Sequence, residues 1–310
     1  MKRKSRVKLI VNPNADLGRA WQAAADLRNE VEYFGGADWA GTVYPSHASE
    51  LAYQAACDGY GLVIAAGGDG TIHEVVNGLM RVPIEERPKL GIIPLGSGND
   101  FSSSMGIDSV PSKAVRQIFT GQPIKVDVGS LTGPNDKIEY WTNTVGIGFD
   151  TTVTIRSRRF TLLHGFVIYL LAVVQTIIMD NDAPNLWVNT NLDQWNQKMI
   201  MLVLCNGGRE GGGFKIAPQA VVHDGVLNYV GIGQVSRLMM FRLLPEVMKG
   251  THGRFRQVKM GEFQQLKLKA DRPLFIHADG EIYSGFGMDI RELSLEIIPG
   301  AIQVMTTETI

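Results

Sequence analysis

The sequence predicts an α/β domain built on a parallel sheet, followed by an antiparallel β-sandwich domain. Between residue 7 and about residue 121, short apolar runs rich in β-branched residues alternate with helical patterns, which gives a parallel sheet with helices on both faces. Two of those runs, at 62–66 and 90–94, break into glycine loops and then restart as helices. From about Lys125 onward the apolar stretches alternate or follow one another with few helices between them, as in an antiparallel sandwich.

Composition narrows the function before any motif does. The chain has 310 residues, enough for two well-filled cores. Lys plus Arg total 30 against 31 for Asp plus Glu, so there is no basic field and nucleic acid is not an expected partner. A hydrophobic fraction of 45% is ordinary for a soluble globular protein. Cys57 and Cys205 fit neither a disulfide framework nor a metal spacing, which suits a reducing cytoplasm. The basic N-terminus leads straight into a strand and lacks the apolar core of a signal peptide. The change of pattern places an α/β domain at 1–124 and a sandwich at 125–291. Strands from about 292 to 310 can return to the first domain, because chain ends commonly lie close together.

Residues 7–11 read as the first strand, closed by Asn12-Pro13-Asn14-Ala15-Asp16-Leu17-Gly18-Arg19. One helix is expected over 20–34, with Trp21, Leu27, Val31 and Phe34 at helical spacing. An extended piece at 41–44, containing Thr42, ends at Pro45, and a helix runs from Ser46 to about Cys57. Strand 62–66 opens into Gly67-Gly68-Asp69-Gly70-Thr71, with a helix restarting at Thr71 and continuing through Ile72, His73 and Glu74. Glycines let the backbone turn sharply and approach a ligand. The helix that follows offers unpaired N–H groups and a positive dipole end, which together suit an anion. A carboxylate inside a phosphate cradle makes sense if a divalent cation bridges it to the phosphates. A tight turn with a capping Asp explains this one loop equally well.

The strand at 90–94 opens into Leu95-Gly96-Ser97-Gly98-Asn99-Asp100-Phe101, a second glycine loop with a hydroxyl and an acid. Loops at the carboxyl ends of parallel strands converge on one crevice. The pair therefore points to nucleotide-phosphate binding, with Asp69 and Asp100 facing one site. There is no Gly-Lys-Thr of the P-loop kind and no serine in a nucleophile elbow.

In the second region, strands are expected at 125–131, 137–144, 198–205, 225–232, 264–269, 274–278 and 293–298. One long apolar helix is expected at 160–178, preceded by Arg156, Arg158 and Arg159 and followed by Asp180 and Asp182. Its length would allow a membrane span. A stripe of Thr161, Gly165, Ala172 and Thr176 argues instead for a helix packed inside the protein, and a span would split the candidate site. An apolar face beside three arginines also suits a bilayer surface.

Further along, 206–214 is glycine-rich, Asp224-Gly225 has the chemistry of a tight turn, and Asp279-Gly280-Glu281 is either a hairpin or a pair of catalytic carboxylates. His47, His164, His223, His252 and His277 show no metal-ligand spacing and read as structural.

Taken together, Gly67 to Thr71 with Glu74, Pro94 to Phe101, Asn143 with Gly146 to Asp150, Ala217-Pro218 to Asp224-Gly225, and Asp279-Gly280-Glu281 resemble the diacylglycerol-kinase catalytic-domain family. Within it they are similar to the soluble bacterial lipid kinases. The first loop alone is shared with NAD kinases and phosphofructokinases; the combination is specific to the lipid branch. The resemblance implies a nucleotide-binding domain of the NAD-kinase and phosphofructokinase type, a β-sandwich domain, and use of ATP and Mg²⁺. The product would be a phosphorylated lipid alcohol, in the first instance phosphatidic acid from diacylglycerol. It places Asn12, Pro13, Asn14, Ala15, Asp16, Thr42, Gly67, Gly68, Asp69, Gly70, Thr71, Ile72, His73, Glu74, Gly96, Ser97, Asn99 and Asp100 around ATP, with Asp69 and Asp100 toward its Mg²⁺. Glu281 falls at the general base, beside Asp279. Asp224, with the carbonyls of Val221 and Val226, falls at a structural Mg²⁺ site, which Asp127 helps tie to the first domain.

The expected setting is a cytoplasmic protein at a membrane surface, with Arg156, Arg158 and Arg159 toward the lipid and a homodimer left open. The chain departs from the family pattern at Asn14-Ala15-Asp16, at His73 in place of asparagine, at Ser103 in place of arginine, and at Val221 in place of an acidic ligand. Those departures keep two alternatives in view: a kinase of a soluble alcohol or of NAD, and a weakly catalytic nucleotide- or lipid-binding regulator.

Overall fold

A computed structural model describes residues 6–158, 166–180 and 182–307. The chain divides into two compact units, Met1–Asp127 with Gly300–Ile310, and Val128–Pro299.

The first unit carries four parallel strands: β1 (Val7–Val11), β2 (Asp38–Gly41), β3 (Leu62–Gly67) and β4 (Lys89–Pro94), in the order β4-β3-β1-β2. All six residues of β3 are buried, which is why it reads as an unbroken apolar run rather than an alternating one. Between the strands lie α1 (Ala20–Asp26), α2 (Arg28–Tyr33), α3 (His47–Cys57), α4 (Asp69–Leu79), α5 (Asp100–Ser104) and α6 (Pro111–Thr120). Leu9, Ile64, Ile93, Val115 and Ile118 sit in the core they enclose.

Three local expectations need correction here. The helix expected over 20–34 is two helices, because Leu27 N–H bonds Ala24 carbonyl three residues back and tightens the turn. The extended piece at 41–44 lies earlier, at Asp38–Gly41; beyond Thr42 the Val43 amide turns to the His47 ring instead of a neighbouring strand. Helix α4 starts at Asp69 rather than Thr71, with Gly68 extended and its carbonyl already accepting from Thr71 and Ile72.

The second unit is antiparallel. Strand β5 (Gln122–Thr132) passes into it from the first unit and is followed by β6 (Ile138–Trp141), β7 (Thr144–Gly148), α7 (Phe149–Ser157), α8 (Phe166–Met179), β8 (Asn185–Thr190), β9 (Gln194–Cys205) and β10 (Leu227–Gly233). Then come α9 (Arg237–Lys249), β11 (Val258–Phe263), β12 (Gln265–Ala270), β13 (Ile276–Ala278), β14 (Glu281–Ser284) and β15 (Glu292–Thr306), whose end returns to the first unit to pair Val304 with Leu90 of β4. The first half of β9 pairs with β8, and the second half with β7 and β10. Along that second half, Leu202 and Leu204 enter one apolar cluster with Trp141, Phe263 and Leu268, while Met201, Val203 and Cys205 enter another with Val173, Ile177 and Leu243 of the helices. Both faces of this half of β9 are therefore buried, and its sequence from Met199 to Cys205 is apolar throughout.

The long apolar helix is α8, Phe166–Met179; the expected positions 160–165, with Thr161 and Gly165, lie outside the described residues. Ala172 and Thr176 are fully buried, while Val167, Leu171, Ile178 and Met179 are exposed. No helix among the described residues is long and apolar enough to cross a membrane. Helix α9 has no counterpart among the expected elements; Pro245 inside it removes one backbone donor and disguises the helical pattern.

Candidate active site

In the first unit the two glycine loops interlock. A Cβ on Gly68 would lie 3.1 Å from Gly96 Cα, and one on Gly96 would overlap Gly68 Cα, so both positions need glycine for close backbone approach. Asn99, with φ of 55°, closes the second loop: its Oδ1 accepts from Gly96 N–H at 3.1 Å and its Nδ2 donates to Gly96 carbonyl at 2.7 Å. Asp69 Oδ1 accepts from Phe101 N–H at 3.2 Å, tying α4 to α5. A Cβ on Gly98 would lie 2.9 Å from Asp69 Oδ2 and 3.4 Å from Asp100 Oδ2, which places both carboxylates against the same residue.

The remaining expected ATP contacts lie at the same ends of the parallel strands. Asn12 N–H donates to Ala66 carbonyl and Thr42 N–H to Val11 carbonyl, while Asn12 Oδ1 accepts from Asn14 N–H at 3.0 Å. Pro13, Ala15 and Asp16 are half-buried in this loop, and Ser97 is exposed. The Thr71 hydroxyl is buried without a hydrogen-bond partner among the described residues. An orphaned hydroxyl packed against Gly67, in the first turn of a helix that follows a glycine loop, fits a polyphosphate.

Three members of the expected set act differently. Ile72 and His73 are buried, so their side chains belong to the core and only their backbone can face a ligand. Glu74 is engaged within the protein: its Oε1 accepts from Ser46 N–H at 2.8 Å and its Oε2 from Ala48 N–H at 3.0 Å, capping α3.

In the second unit, Asp279-Gly280-Glu281 is a hairpin between β13 and β14, with φ of 50° at Asp279 and 85° at Gly280. Asp279 anchors this hairpin. Its carboxylate accepts from the backbone N–H groups of Thr142 at 2.9 Å, Asn143 at 2.8 Å and Thr144 at 3.1 Å. Glu281 is half-exposed, and Arg158 donates to its Oε2 at 2.9 Å and to Gly280 carbonyl at 2.8 Å. Arg158 thus orients the candidate base. The mostly buried Arg156 guanidinium pairs with Asp180 at 2.7 Å. Arg159 lies outside the described residues.

Asp224 is an exposed turn residue whose Oδ1 accepts from Val226 N–H at 3.0 Å, with Val221 exposed nearby in sequence. It joins no group of three His, Cys, Asp or Glu side chains among the described residues.

One such group does exist, and the sequence offered no spacing that would find it. Asp150, Glu210 and His277 come from the start of α7, the glycine-rich segment and β13; β13 pairs with β7, and Asn143 Nδ2 donates to Arg209 carbonyl at 2.9 Å, which holds the Glu210 segment beside them. Burial pushes the Glu210 carboxyl up to about 7; the Asp150 charge adds to this, and His277 and the Thr144 hydroxyl oppose it. Between pH 4.5 and about 7 the folded protein keeps a proton that the unfolded chain releases, so this group's contribution to stability falls as pH rises through that window. Glu210→Gln has no such proton. Its stability relative to wild type, measured by urea denaturation, is expected to improve by up to about 3 kcal/mol between pH 4 and pH 8.

Residues 6–131 match the model of the diacylglycerol kinase catalytic domain, and residues 143–306 match that of the YegS C-terminal NAD kinase beta sandwich-like domain. A protein of Chromohalobacter salexigens named lipid kinase YegS-like is 30% identical over 274 residues, covering 86% of this chain and 80% of its own. The diacylglycerol kinase of Bacillus subtilis is 29% identical over 79% of this chain and 78% of its own. A crystal structure of a diacylglycerol kinase from Bacillus anthracis superposes with a TM-score of 0.74 at 19% identity, over 99% of this chain and 98% of that one, and shares its fold.

Proposed function

Since the chain belongs to the lipid-kinase family with a diacylglycerol kinase catalytic domain and a YegS-type β-sandwich, we propose that it transfers the γ-phosphate of ATP, with Mg²⁺, to a lipid hydroxyl. Diacylglycerol, giving phosphatidic acid, is the reference acceptor. The observation that carries this reading is the interlocked pair of glycine loops, which gathers the orphaned Thr71 hydroxyl, Asp69 and Asp100 at the carboxyl ends of parallel strands.

The backbone amides of Gly68 to Thr71 hold the phosphates, helped by the α4 dipole. Asp69 and Asp100 would hold Mg²⁺, which would supply neutralisation of the charge that develops on the phosphates. Glu281, kept in place by Arg158 and by the Asp279 anchor, takes the proton from the lipid hydroxyl. Asp224 and the carbonyls of Val221 and Val226 are proposed as a second, structural Mg²⁺ site. Because the transition state of phosphoryl transfer is loose, positioning and charge supply most of the rate.

A lipid acceptor implies work at a bilayer from the cytoplasmic side. The second unit exposes Val167, Leu171, Ile178 and Met179 on α8, and Leu238 and Phe241 on α9 beside the exposed Arg237 and Arg242. Apolar side chains flanked by arginine suit an anionic bilayer surface. The double variant Leu238→Asp, Phe241→Asp is expected to cut co-sedimentation with phosphatidylglycerol vesicles at least tenfold. Undiminished binding would move the contact elsewhere.

The test of the activity is label transfer from γ-labelled ATP with Mg²⁺ to a panel of lipids in mixed micelles and to soluble alcohols and NAD. Label in the lipid fraction supports the proposal. Label only in a soluble product would make this a soluble-acceptor kinase, and nucleotide binding with no transfer would make it a regulator.

A further inference from the structure

The second unit is layered. Inner side chains of β8, β12 and β15 share one apolar cluster with those of β7 and β10, and the far side of β10 and of the second half of β9 carries α8 and α9. The outer face of β8, β12 and β15 is turned to water instead, and every second side chain along these strands is exposed. It floors an open groove of about 710 Å³, walled by Gly133, Pro134 and Asp136 after β5 and by Asp289 and Arg291 before β15. That volume is within the range of small-molecule sites.

Strand register sets the floor in two rows. In the first, Trp187 stands between Lys269 and Asn196, with Glu292 beyond Lys269. In the second, two residues along, Asn189 stands between Lys267 and Gln194, with Ser294 beyond Lys267. The rows lie about 7 Å apart and each crosses four strands, roughly 14 Å, which is long enough for a disaccharide. The charges balance. Lys269 pairs with Glu292 at 2.6 Å and Arg291 with Asp289 at 2.5 Å, which leaves the Lys267 ammonium and the Asp136 carboxylate without an ion-pair partner among the described residues. The side-chain amides of Asn189, Gln194 and Asn196 and the Ser294 hydroxyl make no hydrogen bond among the described residues. The Trp187 indole is 41% exposed.

We propose that this groove binds a soluble, uncharged oligosaccharide. Sugar hydroxyls both donate and accept, as do primary amides, and Lys267 and Asp136 add one strong donor and one strong acceptor. The negative face of an indole attracts the weakly positive C–H face of a pyranose ring. A phosphorylated ligand would meet as much negative charge as positive. A peptide strand would find no backbone to pair with, because β12 is already bonded to β8 and β15, and β8 to β9 and β12. Simple solvation accounts for the Lys269–Glu292 pair; it does not account for an indole set among unpaired amides between two walls. Helices α8 and α9, proposed above to meet the bilayer, lie on the opposite side of this unit, so the sugar is a free one rather than a lipid headgroup.

The test is saturation-transfer NMR on the full chain with maltose, cellobiose and lactose, and with glucose 6-phosphate as the charged comparison. At least one neutral disaccharide is expected to bind saturably and more tightly than glucose 6-phosphate. Trp187→Ala should weaken that binding about tenfold or more. Asn189→Ala should weaken it about three- to tenfold, and serves if the tryptophan variant does not fold. Both side chains are exposed, so thermal melts of the two variants should match wild type. No saturable binding of any of the three disaccharides, binding that both variants leave intact, or tighter binding of glucose 6-phosphate would overturn the proposal. Capture by vesicles bearing a lactosyl lipid that depends on Trp187, without binding of free lactose, would place the sugar on a lipid and overturn it as well.

Discussion

Glu281→Gln is expected to lower kcat by about 10²- to 10⁴-fold, the range that a positioned general base contributes, with little change in KM for ATP. The expectation rests on local geometry. Glu281 begins β14 on a two-residue turn with positive φ at Asp279 and Gly280, and the Asp279 carboxylate pins that turn to three successive backbone amides. Arg158 then holds the Glu281 carboxylate from one side at 2.9 Å. Gln keeps the size and the Arg158 contact but cannot take a proton. Initial rates at saturating ATP and lipid decide the matter, and a kcat within a few-fold of wild type would place the base elsewhere.

Gly96→Ala carries the second large effect, on nucleotide binding. The added Cβ would overlap Gly68 Cα, a backbone atom that no rotamer change can move. Either the second glycine loop shifts away from the first or the contact stays strained, at a cost of about 1–3 kcal/mol. If that cost falls on the bound state, affinity for ATP drops by roughly 10- to 100-fold. Titration with a fluorescent ATP analogue, alongside a thermal melt, separates loss of affinity from loss of folding. Unchanged affinity would mean that the phosphates do not lie in this cradle.

Much of the first unit was legible in the sequence for simple reasons. Strands buried on both faces must be apolar throughout, and loops that touch through their backbones must be glycine, so β3, β4 and the segments after them announce themselves. The antiparallel character of the second unit was legible too. What could not be read were contacts made across long stretches of chain by side chains of ordinary type. Glu74 looks like a loop acid and is the cap of α3, 28 residues upstream. Arg156 looks like a surface cation and turns to Asp180 across the span that contains α8. Asp150, Glu210 and His277 share no spacing; the pairing of His277 with Gly146 brings the first and last together, and Asn143 Nδ2, donating to Arg209 carbonyl, holds the Glu210 segment beside them. Pro245 hid α9 because a proline in a helix interior is read as a break.

One measurement bears on lipid phosphorylation above all others: the protein with γ-labelled ATP, Mg²⁺ and lipid in mixed micelles, extracted into organic solvent, beside Asp69→Asn. Lipid phosphorylation at this site predicts label in the organic phase that requires both lipid and Mg²⁺ and falls at least 10²-fold in the variant. An organic phase without label, or label that Asp69→Asn leaves intact, would contradict it.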